Sequence, residues 1–406
     1  MLLSRSALGI FIFIDAFGWK VLHKHRPDFL GDLLPTRMPL GTVLGYSATC
    51  VPTILTGKRP REHGHMSFFR YDPECSPFAR YRWMRLLPKV VAERGRVRRM
   101  LSRFVKQSLG YTGYFQLYNV PFGDLPLFDY TEKMDLFAAG GINGGCPTIF
   151  DALREQGIPF HVSDWRRDEP DNLGALETAV REGTIRFAFL YLAALDGVLH
   201  AHGTDSPRVT DKMNWYESQI RHIIEVASGV YEPVHVHLFS DHGMTDTVDT
   251  CDLMARIKAL GLDFGTDYAA VYDSTMARFW FLSERARDRI LGALQKEPRG
   301  RILSDEELGE FGCDFEDRRY GELFFLMKPG VLINPSFMGI TPLSGMHGFD
   351  PLDIDSVASY LTNAPSAVAP KRLDDLYAIM ASEVGLTVVD PTAINPTATH
   401  ATGDRR

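Results

Sequence analysis

The chain has 406 residues, of which 45% are hydrophobic and 23% are charged, and its formal net charge at pH 7 is −7. This is the composition of an ordinary globular protein, and the length suffices for a large core or for two lobes. The negative net charge argues against a general nucleic-acid-binding protein, so no nucleic acid polymer is expected as a partner.

The first predicted element is a strand over residues 8–14. Its sequence, LGIFIFI, is a continuous apolar run, which is typical of a strand buried on both faces. The run is too short to cross a bilayer, and no small-residue cleavage site follows it. The five cysteines are dispersed and form no CxxC pair, as in proteins with reduced thiols. The chain is therefore expected to be cytoplasmic.

Residues 66–145 interrupt the strand pattern and are rich in Arg, Phe, Tyr and Pro. Between Arg80 and Lys106 there are ten Lys or Arg residues and one acid, Glu93, interleaved with apolar residues. Two interpretations of this basic stretch stay open. It is either a solvated face of a helical insertion, or an interfacial segment that attracts anionic lipid or a large anionic substrate. An interfacial segment would hold a cytoplasmic protein peripherally at the membrane surface.

Two more buried strands are predicted, over residues 186–195 (RFAFLYLAAL) and 234–240 (VHVHLFS). Amphipathic helices are predicted over residues 148–156, 211–227 and 372–384. Strands that alternate with helices predict an α/β fold, with a mainly parallel central sheet covered by helices on both sides. Residues 263–344 mix a short helix with strand-like pieces. They are interpreted, like residues 66–145, as an insertion into a single domain that covers or shapes a site.

Acidic and histidine residues follow the predicted strands at several points. Three Asp and three His belong to these short segments: Asp15, Asp196, His200, Asp241, His242 and His347. The carboxyl ends of parallel strands meet at one edge of a sheet, where ligands bind. Zn²⁺ accepts carboxylate and imidazole ligands, and Mn²⁺ tolerates them too. The pattern predicts two divalent metal ions, because so many desolvated carboxylates without cations would be unfavourable.

The order of these motifs resembles the alkaline phosphatase superfamily, and most closely its type I phosphodiesterase/nucleotide pyrophosphatase branch. From Asp15 to Asp350, an Asp is followed by SAT…TG at residues 47–57, then Asp-x-x-x-His, Asp-His-Gly and a late His-Gly. The resemblance implies an alkaline phosphatase-like fold with two metal ions. It implies that one ion is held by Asp196, His200 and His347, and the other by Asp15, Asp241 and His242.

Ser47 matches the nucleophile segment of this family, because it lies ten residues before Gly57. Many phosphodiesterase members have Thr there, so Thr49 is the alternative if the register shifts by two. The resemblance implies a hydrolase that cleaves a phosphodiester or pyrophosphate bond in preference to a monoester, through a phosphoseryl-type intermediate. A phosphoryl or phospho-alcohol transferase with the same site is the alternative hypothesis. A non-catalytic protein that binds phosphate-containing ligands is the third.

Two further residues are candidates for substrate contacts. Arg278, in the stretch DSTMARFWF, could contact a substrate phosphate, although a strand whose arginine is paired on the surface is the favoured interpretation. His202 follows the Asp-x-x-x-His motif and is expected beside the metal pocket. The substrate is expected to be a phosphorylated small molecule or a lipid-linked phosphate ester.

Overall fold

The computed structural model describes residues 6–365 and 369–386. The strands are β1 (Leu8–Ile14), β2 (Thr36–Leu40), β3 (Phe69–Tyr71), β4 (Phe128–Tyr130), β5 (Phe160–Val162), β6 (Phe187–Leu192), β7 (Val234–Phe239), β8 (Thr245–Asp246), β9 (Asp249–Cys251), β10 (Tyr268–Tyr272), β11 (Met276–Phe281), β12 (Gly300–Ile302), β13 (Leu323–Met327), β14 (Val331–Ile333), β15 (Gly345–Met346) and β16 (Ala358–Thr362).

The α-helices are α1 (Trp19–His25), α2 (Ser47–Thr56), α3 (Pro60–His63), α4 (Lys89–Ala92), α5 (Gly95–Leu109), α6 (Ile149–Glu155), α7 (Glu169–Glu182), α8 (Ala194–His202), α9 (Pro207–Val230), α10 (Leu253–Lys258), α11 (Glu284–Leu294), α12 (Asp305–Phe311) and α13 (Asp375–Glu383). Two 3₁₀ helices span Pro77–Leu86 and Leu125–Leu127. Within the described ranges, none of the helices combines the length and the apolar character that a bilayer crossing requires.

Six strands form the central sheet, in the order β2-β16-β7-β1-β6-β5. β1 lies inside the sheet and pairs in parallel with β6 on one side and with β7 on the other. β5 is parallel to β6, whereas β16 is antiparallel to both of its neighbours, β2 and β7. All strands except β16 therefore share one direction. The prediction of a mainly parallel sheet flanked by helices is confirmed.

The central strand β1 is apolar throughout because both faces of the sheet are covered. Ile10 and Ile12 belong to a hydrophobic cluster with residues of α7 and α9 on one face. Phe11 and Phe13 belong to a second cluster, with residues of α2, α6 and α13. Successive side chains of a strand point to opposite faces, so each face needs its own apolar residues. Asp15 is the first polar residue beyond the strand.

The bounds of the predicted elements differ from the observed bounds for local reasons. β1 has the predicted bounds, but β6 ends at Leu192, because α8 begins at Ala194 within the predicted strand. α9 begins at Pro207, earlier than predicted, because the Ser206 hydroxyl accepts a hydrogen bond from the Arg208 N–H. Proline is well suited to the first turn, where a helix leaves its N–H groups unpaired.

Two parts of the chain lie outside the central sheet and are called the first outer region (residues 66–145) and the second outer region (residues 263–344). The first contains the antiparallel pair β3–β4, and the second contains the antiparallel sheet β10-β11-β13-β12. They share one hydrophobic cluster, with Phe78 and Phe128 from the first region and Phe279 and Phe325 from the second. Their assignment as insertions stays a prediction.

Candidate active site

The fold brings the predicted metal ligands together from four points of the chain. Asp15 follows β1, and Asp241 and His242 follow β7, its parallel neighbour, so these residues share one edge of the sheet. His347 follows β15, which lies outside the central sheet and pairs with β8 in a short antiparallel ribbon. This ribbon ties the loop after β7 to the segment that carries His347.

The remaining two ligands lie on α8. Asp196 is in its first turn and His200 is one turn later, so both side chains lie on the same face of the helix. The Nε2 atom of His200 is 3.2 Å from Oδ1 of Asp196. A helix that follows directly on β6 therefore delivers an acid and an imidazole together.

The six residues form two adjacent groups that could each hold a metal ion. In each group, one ligand atom of every residue lies within 4.8 Å of the others. We call Asp15, Asp241 and His242 the buried group, and Asp196, His200 and His347 the half-buried group. The rings of His242 and His347 stack with their centroids 3.7 Å apart, which places the two groups side by side.

Several atoms of these groups that could bind a metal ion are buried without a hydrogen-bond partner from elsewhere in the protein. They are Asp15 Oδ1, His347 Nδ1 and, apart from an imidazole Nε2 of the same group at 3.2 Å, Asp241 Oδ2 and Asp196 Oδ1. Buried polar atoms in proteins nearly always have a partner, so this concentration of unsatisfied oxygen and nitrogen atoms fits a cation site. His200 and His242 direct Nδ1 to backbone carbonyls, at 2.8 Å and 2.9 Å. Their Nε2 atoms then face the carboxylates, as in metal-binding imidazoles.

The electrostatics of the site favour a cation too. Burial, together with the charges of Asp241 and Asp196, raises the pKa of Asp15 well above its ordinary value. Burial also raises the pKa of Asp241 to about 7. Burial and the neighbouring histidines His242 and His200 lower the pKa of His347 well below its ordinary value. A neutral His347 can bind metal, and a metal ion would stabilise the two carboxylates in their charged form.

The carboxylates of the buried group are held by hydrogen bonds to their outer oxygens. The Tyr191 hydroxyl donates to Asp15 Oδ2 at 2.7 Å. The backbone N–H groups of Ala16 and His242 donate to Asp241 Oδ1, at 3.2 Å and 3.0 Å. Ala16 adopts a positive φ of 60°, a conformation that is strained for a residue with a Cβ. The strained residue is therefore the one whose N–H donates to Asp241, a predicted metal ligand.

Ser47 and Thr49, the two predicted nucleophiles, have different surroundings. Ser47 is the first residue of α2, and its Oγ is 3.2 Å from His242 Nε2. Thr49 is fully buried, and its hydroxyl donates to the carbonyl of Met66. Gly45 has a positive φ of 129°, and a Cβ there would lie 2.3 Å from Thr49 Oγ1. Only Ser47 is therefore next to a predicted metal ligand.

The start of α2 can also bind an anion. Tyr46 precedes the helix and makes no side-chain capping hydrogen bond, so the first N–H groups of α2 receive no cap from it. Such groups, together with the positive end of the helix dipole, favour phosphate.

Two cavities meet at Ser47 and share Ser47, Ala48, Phe68 and Tyr118 in their walls. The first, of about 250 Å³, is mainly aromatic, with Phe68, Tyr114, Tyr118, Phe137, Trp165 and Tyr191 and the carboxyl group of Glu132. Burial raises the pKa of Glu132 to about 7. The second cavity, of about 290 Å³, has an aliphatic part, with Leu332, Ile333, Met338, Pro342, Leu343 and Met346, and a polar part that includes Asp273, Ser274, Asn334, Ser336 and Thr341; we call it the aliphatic cavity. Both outer regions therefore line the site.

The predicted substrate contacts of Arg278 and His202 are not supported by their positions. Arg278 is fully buried rather than on the surface, and its guanidinium donates to Asp273 Oδ2 at 3.0 Å and to Ser67 Oγ at 2.9 Å. It has no open face for a phosphate, and its ion pair is a core contact. His202 is exposed, and its Nε2 is 3.0 Å from the Arg208 guanidinium. It lines neither cavity at Ser47.

The fold has known counterparts among solved structures. Murine ectonucleotide pyrophosphatase/phosphodiesterase 5 gives a TM-score of 0.66 at 16% identity, over 94% of this chain and 96% of that chain. Human ectonucleotide pyrophosphatase/phosphodiesterase 5 gives a TM-score of 0.68 at 14% identity, over 94% of this chain and 96% of that chain. An inactive variant of the murine enzyme, in complex with AMP, gives 0.64 at 16% identity, over 96% of both chains. No curated protein matches the sequence significantly.

The sequence itself matches the model of a protein family. The match spans residues 10–350, and the family is described as type I phosphodiesterase/nucleotide pyrophosphatase. These residues include both ligand groups, Ser47 and both outer regions, so the resemblance inferred from the motif order is confirmed. The chain belongs to the type I phosphodiesterase/nucleotide pyrophosphatase family, within the alkaline phosphatase superfamily, and is a phosphoric ester hydrolase.

Proposed function

We propose that the protein is a phosphodiesterase that uses two divalent metal ions and Ser47 as its nucleophile. The observation that supports this most directly is the position of Ser47 Oγ, 3.2 Å from His242 Nε2 and at the junction of two cavities. A serine nucleophile has to lie beside the groups that activate it. Thr49 does not meet this requirement, because its hydroxyl is engaged by Met66.

Bound at the two ligand groups, divalent ions would lower the pKa of the serine hydroxyl and stabilise charge on the attacking and leaving oxygens. The mixed Asp and His ligands favour Zn²⁺, with Mn²⁺ as the alternative. Ser47 Oγ attacks phosphorus, the bond from phosphorus to the leaving oxygen breaks, and the departing alcohol takes up a proton. Water then attacks the phosphoserine ester and restores the hydroxyl. The N–H groups at the start of α2 donate to phosphate oxygens in both steps.

The two cavities support a diester rather than a monoester as the substrate. A phosphodiester carries two substituents on the phosphorus, and two cavities share Ser47 in their walls. The aromatic cavity suits a flat ring, and the Glu132 carboxyl group can accept a hydrogen bond from it. A nucleotide fits this description, and the AMP bound to the related murine enzyme is consistent with it. The aliphatic cavity suits an apolar second substituent.

The test combines metal analysis with the hydrolysis of a nitrophenyl diester and a nitrophenyl monoester. We expect two metal ions per chain and a preference for the diester. Ser47→Ala should abolish turnover, while Thr49→Val, the matched control, should retain it. Activity that survives in Ser47→Ala and is lost in a folded Thr49→Val would make Thr49 the nucleophile. An added alcohol that diverts the product into a new diester would indicate a transferase.

A further inference from the structure

A surface with both apolar and basic side chains lies on the 3₁₀ helix Pro77–Leu86, α4 and α5. Its apolar members are Trp83, Leu86, Val90, Met100 and Phe104, with exposed fractions from 47% to 78%. Among the described residues, eleven large hydrophobic side chains are exposed, and these five fall within a short stretch of the chain. Such a concentration is unusual on a solvated surface. We call this surface the basic face.

The charged members of the basic face are all positive apart from Glu93. Seven arginines are exposed there: Arg80, Arg82, Arg85, Arg94, Arg96, Arg99 and Arg103. None of them forms an ion pair with an acid in the part of the chain that the structure describes. Exposed arginines elsewhere are often paired, as Arg181 is with Glu177 and Arg287 with Glu322. The positive charge of this face is therefore uncompensated.

The basic face is held in place by a packed inner side. Leu101 and Val105 of α5 are buried, whereas Met100 and Phe104 point outward. The Tyr81 ring lies 6.2 Å from the Phe104 ring, and the Tyr81 hydroxyl donates to Ser108 Oγ at 2.7 Å. These contacts join the 3₁₀ helix to α5. The exposure of the apolar residues is therefore a property of the packed fold.

We propose that the basic face binds the surface of an anionic lipid bilayer. Arginines attract anionic head groups, and the protruding apolar side chains gain from insertion into the acyl boundary. A nucleic acid or an acidic protein would satisfy the arginines but would leave aliphatic residues such as Leu86 and Val90 in water. None of the seven arginines lines either cavity at Ser47, which argues against a role in binding the substrate of the active site.

The inner side of α5 connects the basic face to the active site. Ser102 Oγ accepts a hydrogen bond from the Leu117 N–H at 3.0 Å, and the Arg98 guanidinium donates to the Val120 carbonyl at 3.1 Å. Between these two points lies Tyr118, which lines both cavities. A bound bilayer would therefore be separated from the aromatic wall of the site by one helix, about 10 Å thick. This arrangement suits a substrate taken from the lipid surface.

The experiment is co-sedimentation of the full chain with vesicles of phosphatidylcholine alone or mixed with phosphatidylserine. We expect binding to the mixed vesicles only, weakening as salt is raised. The double variant Arg99→Gln/Arg103→Gln should bind about 25-fold more weakly, at roughly fivefold per arginine. Arg285→Gln/Arg289→Gln removes the same charge with the same spacing from α11 and should bind as the wild type does.

Apolar insertion is tested with Leu86→Glu, which should weaken binding, and with Leu352→Glu, an equally exposed site elsewhere, which should not. Emission of Trp83, identified by its loss in Trp83→Phe, should shift to the blue on binding. All variants should hydrolyse a soluble diester at the wild-type rate, which confirms that they are folded. Equal binding to neutral vesicles, no binding to the mixed vesicles, or equal losses in the control variants would overturn the proposal. So would retention on a soluble polyanion without vesicle binding.

Discussion

The buried group and the half-buried group have the same two kinds of ligand but different surroundings. The buried group contains two carboxylates and one imidazole, all shielded from solvent, whereas Asp196 and His200 of the half-buried group are partly exposed. A cation in the buried group therefore compensates more desolvated negative charge than one in the half-buried group. Position in the fold decides this difference, because only the buried group lies directly at the ends of β1 and β7.

We expect the largest effect when one carboxylate is removed from each group in turn and the two variants are compared. Asp241→Asn should weaken the metal affinity of the buried group and lower kcat/KM, each by about 100-fold or more, because a change at a ligand exceeds the effect of changing its hydrogen-bond partners. Asp196→Asn should weaken the metal affinity of the half-buried group less. In metal-free protein, Asp241→Asn should raise the Tm, since it removes one of two repelling buried carboxyl groups. A greater metal loss in Asp196→Asn would contradict the comparison.

A smaller effect should come from the hydrogen bond behind Asp15. Tyr191→Phe removes the hydroxyl that donates to Asp15 Oδ2 and should weaken the metal affinity of the buried group by about tenfold. The half-buried group should keep its affinity, which metal titration can resolve as a separate site. Tyr114→Phe is the control, because Tyr114 lines the same cavity without contacting a ligand. Equal losses in both variants would mean that the cavity wall, not the hydrogen bond, is responsible.

The smallest effect concerns histidines outside both groups. Burial lowers the pKa of His65 to about 3 and that of His63 well below its ordinary value. The unfolded chain takes up protons below about pH 6.5, where these folded histidines stay neutral, so stability should fall as the pH falls through this window. His65→Gln should reduce the loss between pH 6.5 and 5.5 by about 1 kcal/mol. Urea unfolding at the two pH values measures it, and an unchanged pH dependence would exclude His65 as a cause.

The sequence predicted three of the six strands of the central sheet, β1, β6 and β7, and the six residues that the structure brings together in two groups. It could do so because each ligand lies in a short motif beside an apolar run, and parallel strands bring such motifs to one edge. That these residues bind metal stays a prediction. His347 is the exception in placement, because a two-residue ribbon rather than a sheet strand positions it. His347 was identified from the order of the motifs along the chain, because no predicted strand directly precedes it.

The walls of the site could not be predicted in the same way. Tyr191 lies inside the apolar run of β6, where an aromatic residue is indistinguishable from core. Tyr118 and Glu132 come from the first outer region, whose tertiary position no local pattern specifies. Arg278 was expected on the surface, yet β11 is covered on both faces and Asp273 compensates its buried charge. The spacing of residues along the chain does not reveal which residues meet in the fold when they are far apart in sequence or lie within apolar runs.

The shared hydrophobic cluster of the two outer regions has a consequence for how this enzyme can change its substrate. Phe128 of the first region and Phe337 of the second are in ring contact, with centroids 6.5 Å apart, and each region lines a cavity at Ser47. A chimera that takes only one outer region from a relative would pack that region against an outer region of this chain. The two surfaces that meet in the shared cluster would then come from different proteins and would not fit each other. We therefore expect substrate specificity to be transferred only when both outer regions are replaced together, while the central sheet and the two ligand groups are left unchanged.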